Sequence, residues 1–201
     1  MRLTRSLAIL SFAIIVFCGA SFADSFNFSS NGNHDLGSNQ ETFTSVSGTS
    51  TITVWGFSDS AVPLATDLYY KTSGGDETGL GLVGTSDHEI GTTHFIELTD
   101  AGLSSLTIGS VQSGEGWILY GSNTAGVRGT TILAQGNSTT INLSGIDSGF
   151  KYISLEAKSG DVLLDSAALA VPEPGVPAML MTLGLVGLFA FGGRKLGKLA
   201  A

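Results

Sequence analysis

The chain has 201 residues, room for one domain of ordinary size, with 17 acidic residues against 9 lysines and arginines. Between residues 24 and 170 only Lys71, Arg128, Lys151 and Lys158 are basic, against sixteen acids, a formal charge of −12. That balance excludes nucleic-acid binding, which needs clustered cations to release counterions. The single cysteine, Cys18, lies near the N-terminus and leaves the rest of the chain without thiol chemistry or a disulfide.

Residues 1–23 have the three parts of a secretory signal. Arg2 and Arg5 precede a nearly continuous apolar run from Leu7 to Phe17, and Ser21-Phe22-Ala23 puts small residues at the −3 and −1 positions of a cleavage site. Cleavage is expected between Ala23 and Asp24, through the Sec translocon and signal peptidase. Phe17 stands where a lipoprotein signal needs a small residue before its cysteine, which argues against lipidation at Cys18.

Asp24 to Gln40 reads as a loose polar lead-in. From about Thr42 onward, alternation and β-branched residues dominate. Thr51–Trp55, His94–Leu98, Ser105–Ile108, Gly116–Tyr120, Thr139–Leu143, Lys151–Ala157 and Asp161–Leu164 read as strands. Gly-containing turns separate them, at Ser73–Asp76, Gln112–Glu115, Gln135–Asn137 and Lys158–Asp161. The expected fold over residues 24–170 is a mainly β, antiparallel β-sandwich or jelly roll, between an N-terminal signal helix and a C-terminal transmembrane helix.

The densest acidic set is Asp76, Glu77, Asp87, Glu89, Glu97 and Asp100. Carboxylates in and beside loops suit a hard cation, and the first five residues are the expected ligands if Ca²⁺ binds. A solvated acidic rim without any cofactor is the competing reading. His88 and His94 are six residues apart with Gly91 between them, which does not fit two zinc ligands on one helix face. No G-x-S-x-G elbow is present, so no catalytic residue is assigned. Paired carboxylates leave a hydrolase as a lesser alternative. Trp55, Tyr69, Tyr70, Trp117 and Tyr120 suit a sandwich core or a sugar-stacking face; by parity, Trp117 and Tyr120 point to opposite faces.

Residues 171–201 carry three elements in order. Val171-Pro172-Glu173-Pro174-Gly175 comes first, then eighteen uncharged residues from Val176 to Gly193, then Arg194, Lys195 and Lys198 within 194–201. A helix over 176–193 reaches about 27 Å, close to a hydrocarbon core of about 30 Å. The basic residues place its far end in the cytoplasm and the β domain outside.

This tail resembles the PEP-CTERM sorting signal of Gram-negative bacteria, also called the ice-binding-protein C-terminal or VPEP type. The resemblance implies recognition by an exosortase-type transpeptidase at Pro172, Glu173 and Pro174, with Arg194 and Lys195 as the basic cluster. Gly79–Gly84, Asp87–Ile90 and Phe95–Leu98 resemble a segment that recurs in the ectodomains of that family, which implies a β-sandwich but no activity. The expected function is that of a non-enzymatic surface or extracellular-matrix protein, structural or adhesive in the envelope or biofilm. It is held in the inner membrane by its tail before processing, then carried at the cell surface or outside, with exopolysaccharide as a partner. A binding module for carbohydrate, Ca²⁺ or ice is the alternative.

Overall fold

The computed structural model describes residues 23–29, 32–73, 77–100, 102–146 and 149–170. The segment expected as a signal before Ala23, the tail from Val171 with its expected membrane span and basic cluster, and Asp76 lie outside the described residues. No helix among the described residues is long and apolar enough to cross a membrane.

The described chain is almost wholly β, with one short 3-10 turn at Ser86–His88. In chain order the strands are β1 (Ser25–Asn27), β2 (His34–Asp35), β3 (Gln40–Thr44), β4 (Thr51–Ser58), β5 (Leu68–Thr72), β6 (Thr78–Leu82) and β7 (His94–Thr99). The remainder are β8 (Leu103–Ile108), β9 (Gly116–Ser122), β10 (Thr131–Gly136), β11 (Thr140–Asn142), β12 (Tyr152–Ser159) and β13 (Leu164–Leu169).

These strands form two antiparallel sheets. One has six strands in the order β10-β9-β12-β7-β4-β3. The other has seven, in the order β11-β8-β13-β6-β5-β2, with β1 added on β13. Alternation sets the faces. Ile52 and Val54 of β4, Ile96 and Leu98 of β7 and Leu155 of β12 point to one core. Leu68, Leu80, Leu106 and Leu164 of the other sheet meet them there. Each such fully buried side chain contributes about 1.5–3 kcal/mol. The arrangement is β-sandwich-like, as the alternation predicts.

Two sequence expectations need correction. Residues 24–40 are not a loose lead-in. Phe26 and Phe28 are both fully buried, and β1 pairs with β13 through Phe26 and Ala167. β13 needs this partner, because β6 pairs with it only at Leu80–Leu164. The last predicted strand is also shifted. Leu164–Leu169 is the strand, while Val162 pairs with Ile90 in an isolated bridge.

The outer faces of both sheets are partly covered by loops, and this covering builds the buried polar clusters. On the seven-stranded sheet, Tyr69 lies opposite Gly81 and Lys71 opposite Gly79. The two glycines leave a trough beside the long side chains of β5. The segment after β6 folds back over it, bringing the His88 carbonyl so close to Gly81 that a Cβ there would stand 1.9 Å from its oxygen. Glycine at position 81 is required by that approach. On the six-stranded sheet, the connection between β9 and β10 lies over the row Trp55, Glu97, Ser154 and Tyr120, which are cross-strand neighbours.

Candidate functional site

Lys71 is buried, with 3% of its side chain exposed, and its ammonium is the centre of an acidic cluster. Nζ lies 2.5 Å from Asp87 Oδ2, 2.5 Å from Glu89 Oε1 and 3.3 Å from Glu77 Oε2. Asp87 and His88 reach this position through left-handed backbone, with φ of 53° and 60°. Neither is glycine, so the turn stores strain of about 1–3 kcal/mol per residue. In return, Asp87 meets Lys71 and the His88 ring stacks on Tyr69 with centroids 4.0 Å apart.

Burial pulls the Lys71 ammonium toward deprotonation, but the Asp87 and Glu89 carboxylates outweigh it and hold the group above the ordinary lysine range. Lys71 is therefore a charged strut. Burial pushes Glu89 up, with Lys71 opposing the shift, and Lys71 pushes Asp87 down.

Of the five residues expected as Ca²⁺ ligands, three come together: carboxyl oxygens of Glu77, Asp87 and Glu89 lie within 4.8 Å of one another. The space between them is taken by the Lys71 ammonium, so a divalent ion there would have to displace it. Glu97 belongs to the other sheet. Asp100 accepts a hydrogen bond from the Gly102 N–H at 3.1 Å, in the turn before β8.

Glu97 is fully buried beneath the β9–β10 loop. Its Oε1 accepts the Gly126 N–H at 2.8 Å, while Oε2 and the neighbouring Ser154 hydroxyl have no hydrogen-bond partner among the described residues. Burial pushes the Glu97 carboxyl up to about 7, although the Gly126 and Val127 N–H groups favour its charge. Arg128 fastens the same loop. Its Nη1 donates to Asp59 Oδ2 at 2.7 Å and to Glu156 Oε2, and its guanidinium lies 4.2 Å from the Tyr120 ring centroid.

The aromatic residues divide as parity requires. Trp117 is core, with Nε1 donating to the Ser138 carbonyl at 2.7 Å. Tyr120 lies on the opposite face under Arg128. Trp55 is half-buried on the outer face and meets Tyr152 edge-on, with centroids 6.0 Å apart. Tyr69 and Tyr70 are half-buried on opposite faces of β5.

Asp24, the expected first residue after signal cleavage, is part of the fold. Its carboxylate accepts the Ser47 hydroxyl at 2.6 Å and the Thr49 hydroxyl at 3.2 Å. The hydroxyls of Ser45 and Ser47 hold that carboxyl far below the ordinary range. Its carbonyl accepts the Leu169 N–H at 2.8 Å, so the two ends of the β domain meet.

A cleft of about 290 Å³ opens beside the Lys71 cluster, between the turn after β6, the approach to β7 and the turn after β12. His94 and Asp161 are its titratable groups. From sequence, His94 and Asp161 read as the starts of the strands His94–Leu98 and Asp161–Leu164, and Lys71 as one of four scattered bases. The isolation of Lys71 in a strand otherwise free of charge was the available signal.

No family model, curated protein or solved structure matches this chain.

Proposed function

We propose that this is an exported, non-enzymatic surface or extracellular-matrix protein, with a structural or adhesive β domain delivered by a C-terminal sorting tail. The observation that carries this reading is the order of Pro172-Glu173-Pro174, the uncharged run 176–193 and Arg194-Lys195, in a chain that opens with a signal-like segment. Signal peptidase, an exosortase-type transpeptidase and the membrane are the partners this implies. The fold adds two supporting observations. Asp24, just past the expected cleavage point, is tied to Ser47 and to β13. Lys71 is held as an ammonium by its carboxylates, which suits a brace between layers rather than a nucleophile.

Adhesion to carbohydrate is the second reading. The half-exposed Trp55–Tyr152 pair and the polar cleft beside His94 favour it.

The sorting claim has a direct genetic test. A chain ending at Ala170 should be released from its native host, whereas the full chain should pass through an envelope-bound form. Equal distribution of the two between cells and medium would contradict the proposal.

A further inference from the structure

We propose that the cleft between the β6–β7 connection and the turn after β12 binds an amino sugar, such as a 2-amino-pyranose unit of a matrix polysaccharide, with Asp161 receiving its ammonium. The inference rests on the matrix-protein reading and names the ligand class of its adhesive site.

The size suits one ring. At about 290 Å³ the cleft lies at the lower end of the range of small-molecule sites, roughly 300–1,000 Å³. Gly84 leaves its part of the wall open, with nothing within 4 Å of where a Cβ would stand, so a ring can approach the backbone there. A Cβ added at Gly91 would come within 3.2 Å of Asp161 Oδ1, which places that carboxylate against Gly91 on one side of the cleft.

The polar groups match a polyol. Thr85, Ser86, Thr92 and Thr93 bring hydroxyls to the lining. Ser86 and Thr92 are exposed, whereas Thr85 is already spent on the Leu82 carbonyl at 2.7 Å. The Thr93 hydroxyl lies 3.0 Å from His94 Nδ1, leaving Nε2 for a ligand hydroxyl. Burial pushes His94 down, so the imidazole stays neutral near pH 7.

The charge selects an amine. The lining contains no lysine or arginine. The described residues offer the Asp161 carboxyl no hydrogen-bond donor. Burial pushes that carboxyl up, and the charges of Glu115 and Asp87 push it further. Lys71, whose charge opposes this shift, is outnumbered by its own three carboxylates. A cation entering the cleft would relieve this field, whereas an anionic sugar would meet it unfavourably. A ligand carrying hydroxyls and one ammonium satisfies both sets of groups.

The test is calorimetric titration of the full chain with a glucosamine hexamer at mildly acidic pH, beside its N-acetylated counterpart and a neutral glucose hexamer. The glucosamine hexamer should bind, and the other two should bind on the order of tenfold more weakly or less, the scale of one charge-assisted contact. Asp161→Asn and the cleft-filling Gly91→Leu should each weaken binding by a similar factor. Asp35→Asn, at an exposed acid elsewhere, should leave it unchanged. No binding, equal binding of the acetylated sugar, or an equal loss in Asp35→Asn and Asp161→Asn would overturn the proposal. A protein whose tail is processed but which fails this titration loses the site alone, because sorting does not depend on it.

Discussion

Lys71→Met is expected to cost about 3–5 kcal/mol of unfolding free energy at pH 7, the range for breaking a buried ion pair by removing one partner. The side chains of Lys71 and Glu89 are 3% and 6% exposed and meet at 2.5 Å. Without the ammonium, Glu89 keeps its charge in a low-dielectric site or takes up a proton. Asp87 adds little to the cost, because 71% of its side chain is exposed and it can turn to water. Urea unfolding measures the loss. Two further results are expected from the same cause. Acidification should recover part of the stability of the variant, because a protonated Glu89 no longer needs a counterion. Adding Glu89→Leu should also recover much of it, since well-packed apolar groups often replace a buried pair without loss. A single-variant loss below about 1 kcal/mol, the scale of a surface pair, would show that the cluster is solvated.

Glu97→Gln is expected to stabilise the protein above neutral pH by about 3 kcal/mol and to leave it nearly unchanged below pH 4.5. Glu97 holds its proton up to about 7 in the fold, against an ordinary glutamate value of 4.5. Between those values the folded state binds more protons than the unfolded chain, so this residue lowers stability as pH rises. The penalty is complete above the folded value, and at 1.36 kcal/mol per unit it comes to about 3 kcal/mol. Glutamine keeps a carbonyl oxygen for the Gly126 N–H and carries no charge to desolvate. Glu156, Arg128, Asp59 and Tyr120 remain in both proteins, so the difference between their pH profiles isolates Glu97. Thermal melting across pH 4–9 reads it. Parallel profiles for the two proteins would mean that Glu97 is ionised throughout.

Most of the fold can be read from alternation, and the misses have identifiable causes. Phe26 in β1 and Phe28 just after it recur at period two, but the run is short and set among Ser and Asn, so it looks like a polar leader. Only its pairing with β13 makes it core. β6 is hidden by Gly79 and Gly81, which break the alternation because backbone from Leu164 and His88 occupies the space of their side chains. β5 reads poorly because Lys71 sits in it, and nothing local indicates that a lysine will be buried.

The clusters are less legible than the strands. Composition draws attention to Glu77, Asp87 and Glu89, yet the ammonium they surround comes from another strand. Glu97 alternates with Ile96 and Leu98 and so reads as facing water. It faces instead the loop that carries Gly126 and Arg128, a tertiary covering that periodicity does not encode. The cleft joins three separate turns, and His94 and Asp161 meet there only through the sheet order. The proposed sorting tail is the reverse case, because a linear signal of this kind is read from the order of its residues alone.

Intact mass of the protein from its native host, taken separately for cell-bound and released fractions, decides whether the tail is a processed sorting signal. The released form should lack Met1–Ala23 and the residues after about Pro174, with any added mass belonging to attached groups. A released form that keeps the chain through Ala201 would contradict processing at the Pro-Glu-Pro site and, with it, the sorting role assigned to the tail.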